Sequence, residues 1–123
     1  MKREIKQGDI WFCNDNEEYE LIDSEQKLNR WVIVLSTNAL NEHRNNVIIA
    51  PITKAMKKYM INHYHLLKSD YGNFTYEDNT ILLECIRDIS KKRLDRKLCE
   101  IKKEDLDEIL KLVDYNFKEF TYL

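Results

Sequence analysis

The length, composition and charge of this chain indicate one small domain. It has 123 residues, of which 43% are hydrophobic and 34% are charged, and its formal net charge is −2. A chain of this length can bury a modest core. The near balance of charge argues against a general binder of nucleic acid, which would be basic. A small nucleic-acid site stays open, because a groove can be basic on an acidic protein.

The cysteines and the apolar runs predict a cytoplasmic protein without a membrane partner. The three cysteines are an odd number without C-x-x-C spacing, so we expect buried, reduced thiols, with Cys13 and Cys85 inside strand-like segments. Residues 1–4 carry charge instead of an apolar signal. No run approaches the ~18 apolar residues that a membrane span needs.

The first half of the chain alternates apolar runs with polar connections. Residues 8–13 are predicted to form the first strand, and 14–29 a loop rich in carboxylates. The β-branched runs 31–35 and 47–52 are typical of strands that are buried on both faces. Between these two strands, residues 38–46 form a polar connection rich in turn formers.

The second half of the chain is predicted to contain three more strands and a helix. The strands are 63–67, 80–87 and 94–101, and 88–93 is a polar turn. A helix is predicted over 103–120, because apolar residues there recur with helical spacing. These residues are Leu106, Ile109, Leu110, Val113 and Phe117. Many strands closed by one helix favour a small antiparallel barrel or a curled sheet.

An arginine and a threonine at the ends of two predicted strands are candidates for a phosphate site. Arg30 opens the run 31–35, and Thr53 closes the run 47–52. A guanidinium stays charged and can bind two phosphate oxygens, and a threonine hydroxyl can donate a further hydrogen bond. The alternatives are that Arg30 forms a surface ion pair with the acidic loop and that Thr53 is an ordinary strand residue.

Two histidines and a basic run each allow a structural and a functional interpretation. His63 and His65 share a face of one predicted strand, but two ligands are too few for a metal site, so we expect an ordinary exposed strand face and no bound metal. Lys54 begins a basic run that is either solvated or follows the phosphates of a single strand.

The order of motifs along the chain resembles that of the MazF/PemK toxins of type II toxin–antitoxin systems. The opening strand, the spacing from Arg30 to Thr53 and the position of His63 all match. So do three short motifs, which are Ser24-Glu25-Gln26 ahead of Arg30, the strand Thr80-Ile81-Leu82-Leu83-Glu84-Cys85-Ile86-Arg87, and Ile89-Ser90-Lys91-Lys92-Arg93-Leu94. The resemblance covers nearly the whole chain.

The resemblance implies a fold and a function. The expected fold is mainly β with a C-terminal helix, an SH3-like small barrel of the MazF/PemK/CcdB type, and one toxin domain over residues 1–123. The expected function is metal-independent cleavage of single-stranded RNA at short sequences, mRNA included, without a cofactor. The expected partners are a second copy of the chain in a homodimer and a cognate antitoxin that blocks the active groove.

The resemblance also implies roles for particular residues. Arg30 and Thr53 are the expected catalytic residues. Glu25 is the best candidate for an acid or base, and His63 or His65 could serve instead. The expected RNA contacts are Gln26, Lys54, His63, Thr80 and Cys85.

Two departures from the family pattern stand at expected site positions. Trp31 replaces the proline that follows the arginine, so Arg30 is expected to be held by packing against the tryptophan. Cys85 replaces a glutamine, and a thiol reads a base edge far less well than an amide. Two non-catalytic alternatives therefore stay open, namely a CcdB-like inhibitor of gyrase and a degenerate protein that only binds RNA or its antitoxin.

Overall fold

The structure is a computed structural model that describes residues 3–14, 30–54, 61–74 and 78–118. Most of the predicted carboxylate-rich loop, with Glu25 and Gln26, lies outside these ranges. The seven strands are β1 (Asp9–Cys13), β2 (Arg30–Val34), β3 (Asn46–Thr53), β4 (His63–Leu67), β5 (Asp78–Leu82), β6 (Arg87–Ser90) and β7 (Leu94–Glu100). The helices are α1 (Asn38–His43) and α2 (Lys103–Val113), and short 3-10 turns lie at Leu83–Cys85, Lys91–Arg93 and Asp114–Asn116.

The seven strands form one antiparallel sheet in the order β4-β5-β3-β2-β1-β7, and β6 pairs with β3 off this path. Strand β3 is long enough to pair with β6 at its beginning and with β5 at its end. In the described part of the chain no pairing joins β4 to β7, so the sheet is curled but not a closed barrel. The predicted fold class, mainly β with a C-terminal helix, is confirmed.

Each face of the sheet carries its own core. Ile33, Ile52 and Ile81 belong to the first core, which is covered by Ile109 of α2. Val32 and Ile49 belong to the second core. Neighbouring residues of β2 thus enter opposite cores, as alternation along a strand requires. The continuous apolar runs of the sequence reflect this burial on both faces.

The segment 80–87 is not the continuous strand that the sequence predicted. Strand β5 ends at Leu82, a 3-10 turn follows, and β6 begins at Arg87, the last residue of the predicted strand, and continues into the predicted polar turn 88–93. Both strands pair with β3, and the 3-10 turn absorbs the change of register between the two pairings. An apolar run carries no sign of such a break, because its hydrophobicity continues through the turn.

Two helices also differ from the predictions. The connection 38–46 contains α1, whose N-cap Thr37 accepts a hydrogen bond from the amide of Leu40. Helix α2 ends at Val113, well before residue 120. Phe117 therefore lies beyond the helix and is 76% exposed instead of packing on the core.

Candidate active site

The strand order and register put four of the candidate residues into one row across the sheet. Thr53 of β3 lies opposite Thr80 of β5, and Thr80 lies opposite His65 of β4. Val32 of β2 lies opposite Pro51 of β3, where the pairing of these two strands ends. Arg30 and Thr53 each lie two residues beyond that pair, and therefore on the same face as Val32 and Pro51. Residues directly opposite each other point to the same face. Arg30, Thr53, Thr80 and His65 therefore share a face across four neighbouring strands.

This row lies at the edge of the second core. Val32, which follows Arg30 on the same face of β2, is fully buried in that core. Arg30 and Thr53 are half-buried, and the Nε nitrogen of Arg30 lies below the surface. A guanidinium held at the margin of an apolar core meets a phosphate in a less solvated setting, where its electrostatic attraction is stronger than in open water.

At the β4 end of the row, three side chains form a hydrogen-bonded group. His65 Nδ1 is 2.9 Å from Asp78 Oδ1 and 3.1 Å from Thr80 Oγ1. The hydroxyl of Thr80 donates to the same carboxylate oxygen at 3.4 Å. Thr80 is fully buried, so its hydroxyl holds its neighbours and is not presented to solvent.

His63 lies two residues before His65 in β4 and therefore on the same face of the strand. Its Nε2 is 2.6 Å from Glu84 Oε2, and its side chain is only 5% exposed. Its other ring nitrogen is buried and has no hydrogen-bond partner among the described residues. The expected ordinary, exposed strand face is wrong, because both histidines are paired with carboxylates.

Trp31 and Arg30 lie on opposite faces of β2. Since neighbouring residues of a strand point to opposite faces, Trp31 points away from the face of Arg30. Its ring lies edge-on to Phe12 with centroids 5.2 Å apart, and the Arg96 guanidinium lies 5.3 Å from its ring centroid. The tryptophan belongs to the margin of the first core.

The other predicted residues have different positions. Lys54 follows β3 and is exposed. Cys85 lies in the 3-10 turn after β5, half-buried, with its thiol 3.8 Å from Glu84 Oε1. Cys13 is fully buried in β1, as predicted. Glu25 and Gln26 lie outside the described residues.

Sequence reasoning missed the two carboxylates of this region, Asp78 and Glu84. The two-residue spacing between Asp78 and Thr80 puts them on one face of a strand, which was the available signal. Among the described residues, no group of three or more histidine, cysteine, aspartate or glutamate side chains could hold a metal ion. Within the same ranges, no helix is long and apolar enough to cross a membrane.

Comparison with known proteins identifies the family of this chain. A family model described as "PemK-like, MazF-like toxin of type II toxin-antitoxin system" matches residues 6–117. The chain belongs to this family. It is 31% identical to Endoribonuclease EndoA of Bacillus subtilis (strain 168) over 106 residues, which are 85% of this chain and 87% of that protein.

Solved structures of MazF-type proteins have the same fold as this PemK/MazF-like chain. MazF of Deinococcus radiodurans superposes with a TM-score of 0.75 at 19% identity, covering 94% of this chain and 98% of that one. An endoribonuclease of a mycobacterial species, in complex with its cognate antitoxin, gives a TM-score of 0.71 at 15% identity, covering 92% and 94%.

Proposed function

We propose that this PemK/MazF-like toxin is a metal-independent endoribonuclease that cuts single-stranded RNA, mRNA included, at short sequences. The observation that carries the proposal is that Arg30 and Thr53 lie on one face of neighbouring strands, each two residues beyond the Val32–Pro51 pair. The name of its relative EndoA, an endoribonuclease, supports the same activity. In this proposal the protein is a single domain that acts in the cytoplasm as a homodimer. A cognate antitoxin neutralises it. The mycobacterial structure, a complex with an antitoxin, supports that partner.

The proposed reaction uses the 2′-hydroxyl of the RNA as the nucleophile. Its oxygen attacks the adjacent phosphorus, the bond from phosphorus to the 5′-oxygen breaks, and the products carry a 2′,3′-cyclic phosphate and a 5′-hydroxyl. Negative charge grows on the phosphoryl oxygens in the transition state. The guanidinium of Arg30 and the hydroxyl of Thr53 suit the stabilisation of that charge, because donors aimed at developing charge are often the largest catalytic contribution.

The remaining proposed roles concern the proton and the RNA bases. Glu25, five residues ahead of Arg30 in the sequence, is the proposed base that removes the proton of the 2′-hydroxyl. Gln26, Lys54 and Cys85 are the proposed RNA contacts, whereas the expected contacts His63 and Thr80 are buried. Lys54 suits contact with phosphates because it is exposed directly after Thr53.

The test is cleavage of a long single-stranded RNA in the presence of EDTA. Arg30→Ala is expected to lower the cleavage rate by about 10²–10³-fold, the loss typical of one donor to developing charge. Arg44→Ala, an exposed arginine at the end of α1, is the matched control and should cleave normally. Sequencing of the cut ends gives the recognition sequence, and their chemistry should be a cyclic phosphate and a 5′-hydroxyl.

Three outcomes would contradict the proposal. Full activity of Arg30→Ala at matched protein concentration would remove Arg30 from the mechanism. Inhibition of gyrase by a wild-type protein that cuts no RNA would support a CcdB-like inhibitor. Binding of RNA without cutting would support a degenerate, non-catalytic protein.

A further inference from the structure

His65 presents one ring nitrogen outward beside the row of Arg30 and Thr53. Its Nδ1 contacts Asp78 and Thr80, whereas Nε2 has no hydrogen bond within the described residues and is not among their enclosed atoms. The side chain is 28% exposed. We propose that His65, oriented by Asp78, is the general acid that protonates the leaving 5′-oxygen, an inference that rests on the proposed endoribonuclease function.

The Asp78 carboxylate determines which nitrogen of the His65 ring remains available to the substrate. An ionised carboxylate only accepts hydrogen bonds, so the 2.9 Å contact between Asp78 Oδ1 and His65 Nδ1 makes Nδ1 the donor in that pair. The ring is thereby held with Nε2 facing outward. Thr80, fully buried, donates to the same carboxylate and keeps it in place. Asp78 and Thr80 are positioning residues, because neither needs to touch the RNA.

The position of His65 suits the leaving group. It lies two strands beyond Thr53 in the register, which corresponds to about 10 Å between backbones at the usual strand spacing. Thr80, on the strand between them, is fully buried, so a phosphate at Thr53 would approach His65 across the outer side of Thr80, where Nε2 of the imidazole is available.

The order of strands puts the proposed acid at one end of the row. In an in-line displacement, the entering and leaving oxygens lie on opposite sides of the phosphorus. His65 is on β4, at one end of the row, and Arg30 is on β2, at the other end. A proton from His65 therefore reaches the phosphate from the β4 side, which suits an oxygen that leaves on that side.

The step balances in protons and bonds. The 2′-oxygen forms a bond to phosphorus and gives its proton to the Glu25 carboxylate. The bond from phosphorus to the 5′-oxygen breaks, and that oxygen takes the proton from Nε2 of the imidazolium. The ring returns to its neutral form with Nδ1 still donating to Asp78. Hydrolysis of the cyclic phosphate is not part of this step.

A substrate with a bridging sulfur tests the acid role directly. A short RNA containing the mapped cut site is made with a 5′-oxygen or with a 5′-sulfur at the scissile bond, and a thiolate leaves without protonation. His65→Gln is expected to slow cleavage of the oxygen substrate by about 10²–10⁴-fold, the usual contribution of acid–base catalysis. On the sulfur substrate the same variant should cleave within about tenfold of wild type, because no acid is needed there.

Two further variants separate chemistry from folding. Asp78→Asn should show a smaller loss on the oxygen substrate and the same recovery on the sulfur substrate, which general damage to the fold would not produce. His43→Gln, at an exposed histidine of α1, should cleave both substrates at the wild-type rate. Thermal unfolding of each variant shows whether it is folded at the assay temperature.

Each outcome decides the matter. If wild type cuts RNA and His65→Gln cuts the oxygen substrate within threefold of it, the acid role is refuted and the endoribonuclease proposal stands. Equal losses on both substrates also refute the acid role and assign His65 to binding or to structure. A folded wild-type protein that cuts no RNA overturns the endoribonuclease proposal, and the acid role with it.

Discussion

Asp105, in the first turn of α2, accepts hydrogen bonds from two tyrosine hydroxyls, those of Tyr64 on β4 and Tyr71 in the turn that follows it. Asp105→Ala removes both acceptors. Tyr71 is only 6% exposed, and although its hydroxyl still accepts a hydrogen bond from the amide of Lys102, its own O–H is left buried without an acceptor, whereas water can reach the half-buried Tyr64. At about 1–3 kcal/mol for each buried group left unsatisfied, the variant should lose about 2–4 kcal/mol of its free energy of unfolding.

Urea unfolding measures this loss. With a slope of about 2 kcal/mol per molar urea, the midpoint should fall by about 1–2 M. Asp107→Ala, exposed on the same helix, is the matched control and should stay within about 0.5 kcal/mol of wild type. In a background where both tyrosines are replaced by phenylalanine, Asp105→Ala should lower the free energy of unfolding much less, since no tyrosine hydroxyl remains to lose its acceptor. Equal losses in both backgrounds would refute the reasoning.

The same contacts predict how stability changes at alkaline pH. Burial and then the hydrogen bond to Asp105 raise the pKa of both tyrosines above the usual value of 10.0. The folded state therefore holds these protons more tightly than the unfolded state. Their contribution is fully present below about pH 10 and is lost as the pH rises above it. Urea midpoints measured from about pH 9 to 11 should fall less for the double phenylalanine variant than for wild type.

Two further substitutions test the frame around the site. Gly8 has φ of +92°, and a Cβ there would lie 3.3 Å from a methyl carbon of Leu106, so Gly8→Ala should destabilise by about 1–3 kcal/mol in urea unfolding. Gly72→Ala, with nothing within 4 Å, should leave the midpoint nearly unchanged. Glu84→Ala removes the partner of the buried His63 ring and should lower stability by about 1.5–3 kcal/mol, and an unchanged urea midpoint would show that the pair contributes nothing.

The fold was predictable from the sequence where hydrophobicity alone decides the structure. The apolar runs that became β2 and β3 are buried on both faces, and that pattern has few alternatives. The break after Leu82 was not predictable, because it follows from how β5 and β6 both pair with β3. Helix α1 has only six residues, too few for a helical period to stand out.

The candidate site was predictable in part. Arg30 and Thr53 were proposed from their positions at the ends of two apolar runs and then from the family resemblance, and the structure puts them on one face of neighbouring strands. The pairing of His65 with Asp78 depends on the register between β4 and β5, which puts Thr80 opposite His65 and Asp78 opposite Leu67. Hydrogen bonds that form only after two strands align leave no local pattern in a sequence.

Strand β4 contacts helix α2 through one face and carries the proposed catalytic acid on the other. Within the described residues it pairs only with β5, so half of its backbone groups lack a strand neighbour, and an edge strand of this kind needs other contacts to stay in place. Tyr64 supplies them on one face by bonding to Asp105 of α2. His63 and His65 point to the opposite face because residues alternate along a strand. The hydrogen bonds that dock the helix therefore also hold the strand that carries the proposed acid.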